Sequence, residues 1–137
     1  MIIRWVIIGI LATTSMTIPQ LVLIWRYDKR IVPEFYENAH LLTKIFPSYS
    51  WEELYWKATP LHYLHGVLGA TALGIVLWVF EITMTPLLAL VYALMLWIGL
   101  LLIHKPITGE NILQQRGQLL TSFFSHLLYS GILLWLF

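Results

Sequence analysis

Four apolar stretches, Ile2 to Trp25, Pro60 to Phe80, Pro86 to Ile103 and Gln118 to Phe137, constrain this chain more than any other feature. Wound as an α-helix at about 1.5 Å per residue, each reaches across the roughly 30 Å hydrocarbon core of a bilayer. Lipid offers no partner to a bare backbone amide, so such stretches cross as closed helices. Composition agrees, since 59% of the 137 residues are hydrophobic and 11% charged, a balance far from that of a water-soluble domain. The expectation is an all-α membrane protein in which residues 1–137 form a single transmembrane domain. Its four transmembrane helices span 2–25, 60–80, 86–103 and 118–137, with an amphipathic interfacial helical segment in the 26–59 connector between helices 1 and 2.

Local chemistry sharpens these limits. Thr59 then Pro60, and Thr85 then Pro86, place a capping hydroxyl ahead of a proline at the first helical position, where no amide is needed. Pro19 lies inside the first span and predicts a kink or break there, with Thr13, Thr17 and Gln20 at hand for the freed backbone groups. The first run is too long for a signal-peptide core and lacks a small-x-small cleavage site, so it reads as a retained span. The absence of cysteine removes disulfides and thiolate metal sites and says nothing of compartment.

Orientation follows from charge. Seven of the eight Lys and Arg residues (Arg26, Lys29, Arg30, Lys44, Lys57, Lys105 and Arg116) fall in the 26–59 and 104–117 connectors, and Arg4 alone lies opposite. The positive-inside rule then puts both connectors in the cytoplasm and both termini outside. Trp5, Trp25, Trp56, Trp78 and Trp135 near the span ends suit interfacial indoles. In the first connector, Phe35, Ala39, Leu42 and Ile45 with Phe46 recur at helical spacing while Glu34, Glu37 and Lys44 fall on the other side. That pattern predicts a helix lying in the membrane surface, its acids toward water. Ser50 with Glu53 spells a capping box for a second short helix.

Small residues mark packing faces. Gly66, Ala70 and Gly74, with Gly69 alongside, form a stripe on the second span, Gly9, Thr13 and Thr17 one on the first, and Gln118, Ser122, Ser125 and Tyr129 one on the fourth. Five histidines carry the remaining chemical interest. His40 belongs to the surface helix in a solvated or headgroup role, His62, His65 and His104 share the cytoplasmic end, and His126 lies deeper. His65 and His126 are the pair for a cofactor, as haem or metal ligands or at a quinone pocket. Their positions, about five and about nine residues into their helices, differ in depth by roughly 6 Å, which disfavours a shared ligand. Histidines hydrogen-bonded to nearby hydroxyls and carbonyls are the simpler expectation, and Ser122 and Ser130 flank His126.

No span holds an Asp or Glu, Glu81 at the tight outer hairpin reads as solvated, and no phosphate-binding loop or nucleophile motif occurs. The expectation is therefore no catalytic residues, no metal site, no cofactor of necessity and no nucleic-acid partner, in a protein that is not itself an enzyme. Gly9, Ala12, Thr13, Met16 and Thr17, His65 with Gly66 and Gly69, Tyr92 to Trp97 followed by Pro106 and Gly109, then His126, Tyr129 and Gly131, resemble the pattern of small prokaryotic four-helix membrane proteins known only as domains of unknown function. The resemblance covers most of the chain and implies a packing role for these glycines and histidines and a place in the inner membrane of a prokaryote. The long aromatic first connector departs from it.

Three functions are compatible with these readings. The first is an accessory, structural subunit held among other integral membrane subunits and lipid in an energy-converting or oxidoreductase assembly. The second is a histidine-ligated haem, metal or quinone-binding protein, and the third a small homo-oligomeric transporter or channel.

Overall fold

The computed structural model describes all 137 residues and is helical throughout, with no strand. Four helices are long and apolar enough to cross a membrane: α1 (Ile2–Arg26), α4 (Thr59–Val79), α5 (Pro86–Thr108) and α6 (Arg116–Leu136). Between α1 and α4 lie α2 (Pro33–Ile45) and the single-turn α3 (Trp51–Leu54), joined by 3₁₀ turns at Lys29–Ile31 and Trp56–Ala58.

Helix ends follow the capping chemistry with one exception. Thr85 Oγ1 accepts from the Leu88 amide at 3.2 Å, and Ser50 and Glu53 exchange both bonds of a capping box. Thr59 instead sits inside α4 and donates back to the Trp56 carbonyl at 2.8 Å, because the Trp56–Ala58 turn runs straight into the helix and needs no cap. α5 passes the expected end at Ile103 and stops only where Gly109 turns left-handed at φ 79°, so His104 lies within the helix. At the α4–α5 hairpin the Ile82 amide reaches back to Leu77 O at 2.9 Å over Glu81, which holds φ 53°. That Schellman-type closure usually takes glycine.

α1 stays one helix across Pro19. The side chains expected to serve its freed backbone are engaged elsewhere: Thr13 and Thr17 bond the carbonyls of Gly9 and Thr13, both at 2.7 Å, and Gln20 reaches Ser125 on α6 at 2.8 Å.

α1 packs on α4 on one side and on α6 on the other, and α6 packs on α5. The α1–α4 seam is made by the small residues. A Cβ on Gly9 would stand 2.8 Å from the Val67 Cα, one on Gly74 2.7 Å from the Trp5 ring, and one on Gly66 would overlap the Thr13 hydroxyl. Any side chain at these points forces the helices apart. Trp5 is thereby buried in the bundle, correcting its expected place as an interfacial indole, whereas Trp25, Trp56, Trp78 and Trp135 are exposed. Arg4 donates to the Leu136 carbonyl at 3.3 Å, which brings the two termini together at one end. No comparable packing joins α4 to α5, so the ring of four helices is open along one seam.

At the other end a second core of Ile24, Val32, Phe35, Ala39, Tyr55 and Ala58 fastens the connector to the bundle. Tyr55 Oη donates to Lys29 O at 2.7 Å, and Phe35 stacks on Tyr55 and lies tilted against His62, with ring centres 5.8 and 4.4 Å apart.

Candidate functional site

α2 corrects the largest expectation. Val32 is extended, Pro33 opens the helix, and its first two turns are buried on every side, Glu34 and Glu37 included. The helix does not lay its acids in water. Glu34, Glu37, Asn38 and Leu41 recur at one-face spacing, and all four turn down onto the open end of the bundle. The cause is the polar population waiting there, because His62, His104, His126 and Gln20 are side chains that a purely apolar face would leave without partners.

Beneath α2 lies a cavity of about 360 Å³, near the lower end of the range of small-molecule pockets. Its polar wall is Glu34, Glu37 and Asn38 of α2, His62 and His65 of α4, and His126 and Tyr129 of α6. Its apolar wall includes Met16 of α1 and Met95, Leu96, Leu100, Ile103 and Ile107 of α5. Of these, His65 on α4 and Met95 and Ile103 on α5 are exposed, so the mouth lies at the unpacked α4–α5 seam. Tyr92 Oη bridges that seam toward the hairpin by donating to Gly69 O at 2.8 Å, and Tyr129 Oη donates to Gly66 O beside it.

Two buried carboxylate–imidazole pairs roof the cavity. Glu37 Oε1 lies 2.8 Å from His104 Nδ1, and Glu34 Oε1 lies 3.7 Å from His126 Nδ1. Glu34 Oε2 also accepts from Gln20 Nε2 at 3.4 Å. Burial raises the Glu37 carboxyl to about 7 against the opposing pull of His104, and burial likewise raises Glu34 against the pull of His126. Outside this pair of acids, Tyr36 donates to Glu110 Oε1 at 2.8 Å, with Arg30 4.0 Å from the same oxygen. His40, placed by the sequence in solvent, is half-buried between the Tyr36 and Trp51 rings, and burial lowers its pKa.

The imidazoles facing the cavity are held in defined tautomers. His126 Nδ1 lies 2.7 Å from the Ser122 carbonyl, which only accepts, so that nitrogen carries a proton and in the neutral ring Nε2 keeps the lone pair. His62 Nε2 lies 3.0 Å from Thr17 Oγ1, whose own proton goes to the Thr13 carbonyl, so Nε2 donates and Nδ1 keeps the lone pair.

His65 and His126 both line this cavity, which spans more than one helical turn. Gly66 and Gly69 line it as well, while Gly9, Thr13, Ala70 and Gly74 pack α1 on α4, and Ser122 accepts from Trp97 Nε1 at 3.1 Å between α5 and α6. His and Glu come together in pairs, not in groups of three or more able to hold a metal ion. Sequence reasoning missed Glu34, Glu37 and Asn38. The signal was present as the polar stripe of Glu34, Glu37 and Asn38 at i, i+3 and i+4 of α2.

No protein-family model matches the chain, and no curated protein or solved structure is significantly similar to it.

Proposed function

We propose that this chain is a membrane-embedded binding protein that takes the polar head of a membrane-soluble amphiphile of the quinone class into the cavity under α2. The observation that carries the reading is the mouth. A cavity with a histidine and carboxylate roof opens sideways between α4 and α5, where the flanking surface is apolar. A ligand arriving from the bilayer keeps its tail there while its head replaces water on buried polar groups. Four spanning helices in a bilayer, the basic ends of α1, α5 and α6 in the cytoplasm and the Arg4 end outside belong to the same reading, as does a prokaryotic inner membrane. So does binding without chemistry of the chain's own.

The test is extraction of the protein from its own membrane in mild detergent, followed by solvent extraction and mass spectrometry of what it holds. The reading expects a quinone-class lipid enriched over bulk lipid and lost from the His62→Leu/His126→Leu double variant. Equal recovery from wild type and variant refutes it.

The open seam also favours a second reading, an accessory subunit whose partner lays a helix against α4 and α5. Stoichiometric large partners in the same extract, with no bound lipid, would select it.

A further inference from the structure

The phenol and neutral imidazole atoms fixed toward the cavity are acceptors, while the buried Glu34 and Glu37 carboxyls, whose hold on a proton burial strengthens, can take either role. His62 is committed through Nε2–H to Thr17 and presents the Nδ1 lone pair, and His126 is committed through Nδ1–H to Ser122 O and presents Nε2. The Tyr129 proton is spent on Gly66 O, leaving only its oxygen lone pairs. Glu37 Oε1 faces His104 Nδ1 at 2.8 Å, and Glu34 Oε1 is buried without a hydrogen-bond partner. Asn38 and His65, which also line the cavity, are bound by no such commitment and adapt to either role. No lysine or arginine reaches the site.

We infer that the cavity selects a head group that donates hydrogen bonds from separated points, so that within the quinone class proposed above it binds the reduced quinol in preference to the quinone. A quinone offers carbonyl lone pairs to the lone pairs of His62, His126 and Tyr129, and each acceptor so left is buried without a partner. A quinol turns one hydroxyl outward from each end of a flat ring. The acceptors come from α2, α4 and α6 around the cavity, a spread that suits two donors set apart and not the clustered protons of an alkylammonium. Met16, Met95 and Leu96 supply apolar contact for the ring. Thr17, which touches no ligand, is the positioning residue, because its hydroxyl fixes the tautomer of His62.

The inference rests on the binding reading, and its test separates the two. Detergent-solubilised full-length protein is titrated anaerobically with a short-tailed benzoquinol, the matching benzoquinone and an alkylamine of equal tail length, with tryptophan fluorescence as readout. Quinol is expected to bind about tenfold or more tightly than quinone, the effect of one unmatched buried acceptor. In Thr17→Val, which keeps the shape and removes the hydroxyl, that ratio is expected to fall toward one. In Thr14→Val, which loses only the bonds to Ile10 O and Tyr63 Oη, it is expected to stand. Equal or tighter binding of quinone overturns the inference while leaving the cavity a binding site, as does an amine that binds where quinol does not. An unchanged ratio in Thr17→Val overturns the tautomer argument. Binding of none of the three removes both this inference and the reading beneath it.

Discussion

The Glu37 carboxyl makes the docking of α2 sensitive to pH in the direction opposite to a surface acid. Its value rises from 4.5 to about 7 because burial under the connector penalises the charge more than His104 repays, with Glu34 adding repulsion. A shift of that size, at 1.36 kcal/mol per unit, corresponds to about 3 kcal/mol. The sign follows from proton counting. Between pH 4.5 and about 7 the folded protein binds more proton at this site than the unfolded chain, so stability falls as pH rises. The favourable contribution is complete below pH 4.5 and lost once pH has risen through about 7. Glu37→Gln keeps the shape and a hydrogen-bonding group beside His104 and removes the titration. The assay is thermal unfolding in detergent at pH 5 and pH 8, followed by fluorescence, to which Trp51 beside Tyr36 contributes. The wild type is expected to lose more stability than Glu37→Gln between the two pH values. Parallel profiles, or a wild type that gains stability on the alkaline side relative to the variant, would refute the reasoning.

Other outcomes follow from the same geometry. A phenyl ring at Gly99, where an added Cβ meets nothing within 4 Å, stands beside the α4–α5 mouth, so Gly99→Phe is expected to weaken quinol binding at least tenfold. Gly131→Phe, equally open but away from the cavity, leaves binding unchanged, and equal titrations of the two variants would contradict the mouth. Gly9→Ala drives a methyl against the Val67 backbone and is expected to cost about 1–3 kcal/mol, read as a lowered unfolding midpoint in detergent. Glu81→Gly relieves a left-handed residue at the hairpin and is expected to stabilise the protein by up to about 1 kcal/mol in the same assay.

The spanning helices were legible because their signal is cumulative, and limits such as Ile2–Arg26 and Arg116–Leu136 lie close to those expected. α5 runs past the apolar stretch that ends at Ile103 because His104 and Lys105 continue the helix, Pro106 in a last turn forfeits only one bond, and Gly109 sets the true end. The site was half legible. His65 and His126 stand out as ionisable groups in apolar runs, whereas the burial of Glu34 and Glu37 depends on which face of α2 docks. Periodicity alone ranks the Phe35–Ala39 face as the inward one. Both faces are buried, because Phe35 is claimed by Tyr55 and His62 and Glu37 by His104. Charge pairing across 67 residues of sequence leaves no local trace.

The account turns on whether a lipid-soluble head group enters beneath α2, and photolabelling tests this most directly. A short-tailed benzoquinol carrying an aryl azide is illuminated with the detergent-solubilised protein, and the labelled residues are located by peptide mass spectrometry. Label is predicted within 62–69, 95–107 and 126–129, and competed away by unlabelled quinol. Label confined to the exposed faces around Trp25, Trp78 and Trp135, with no competition, would contradict it.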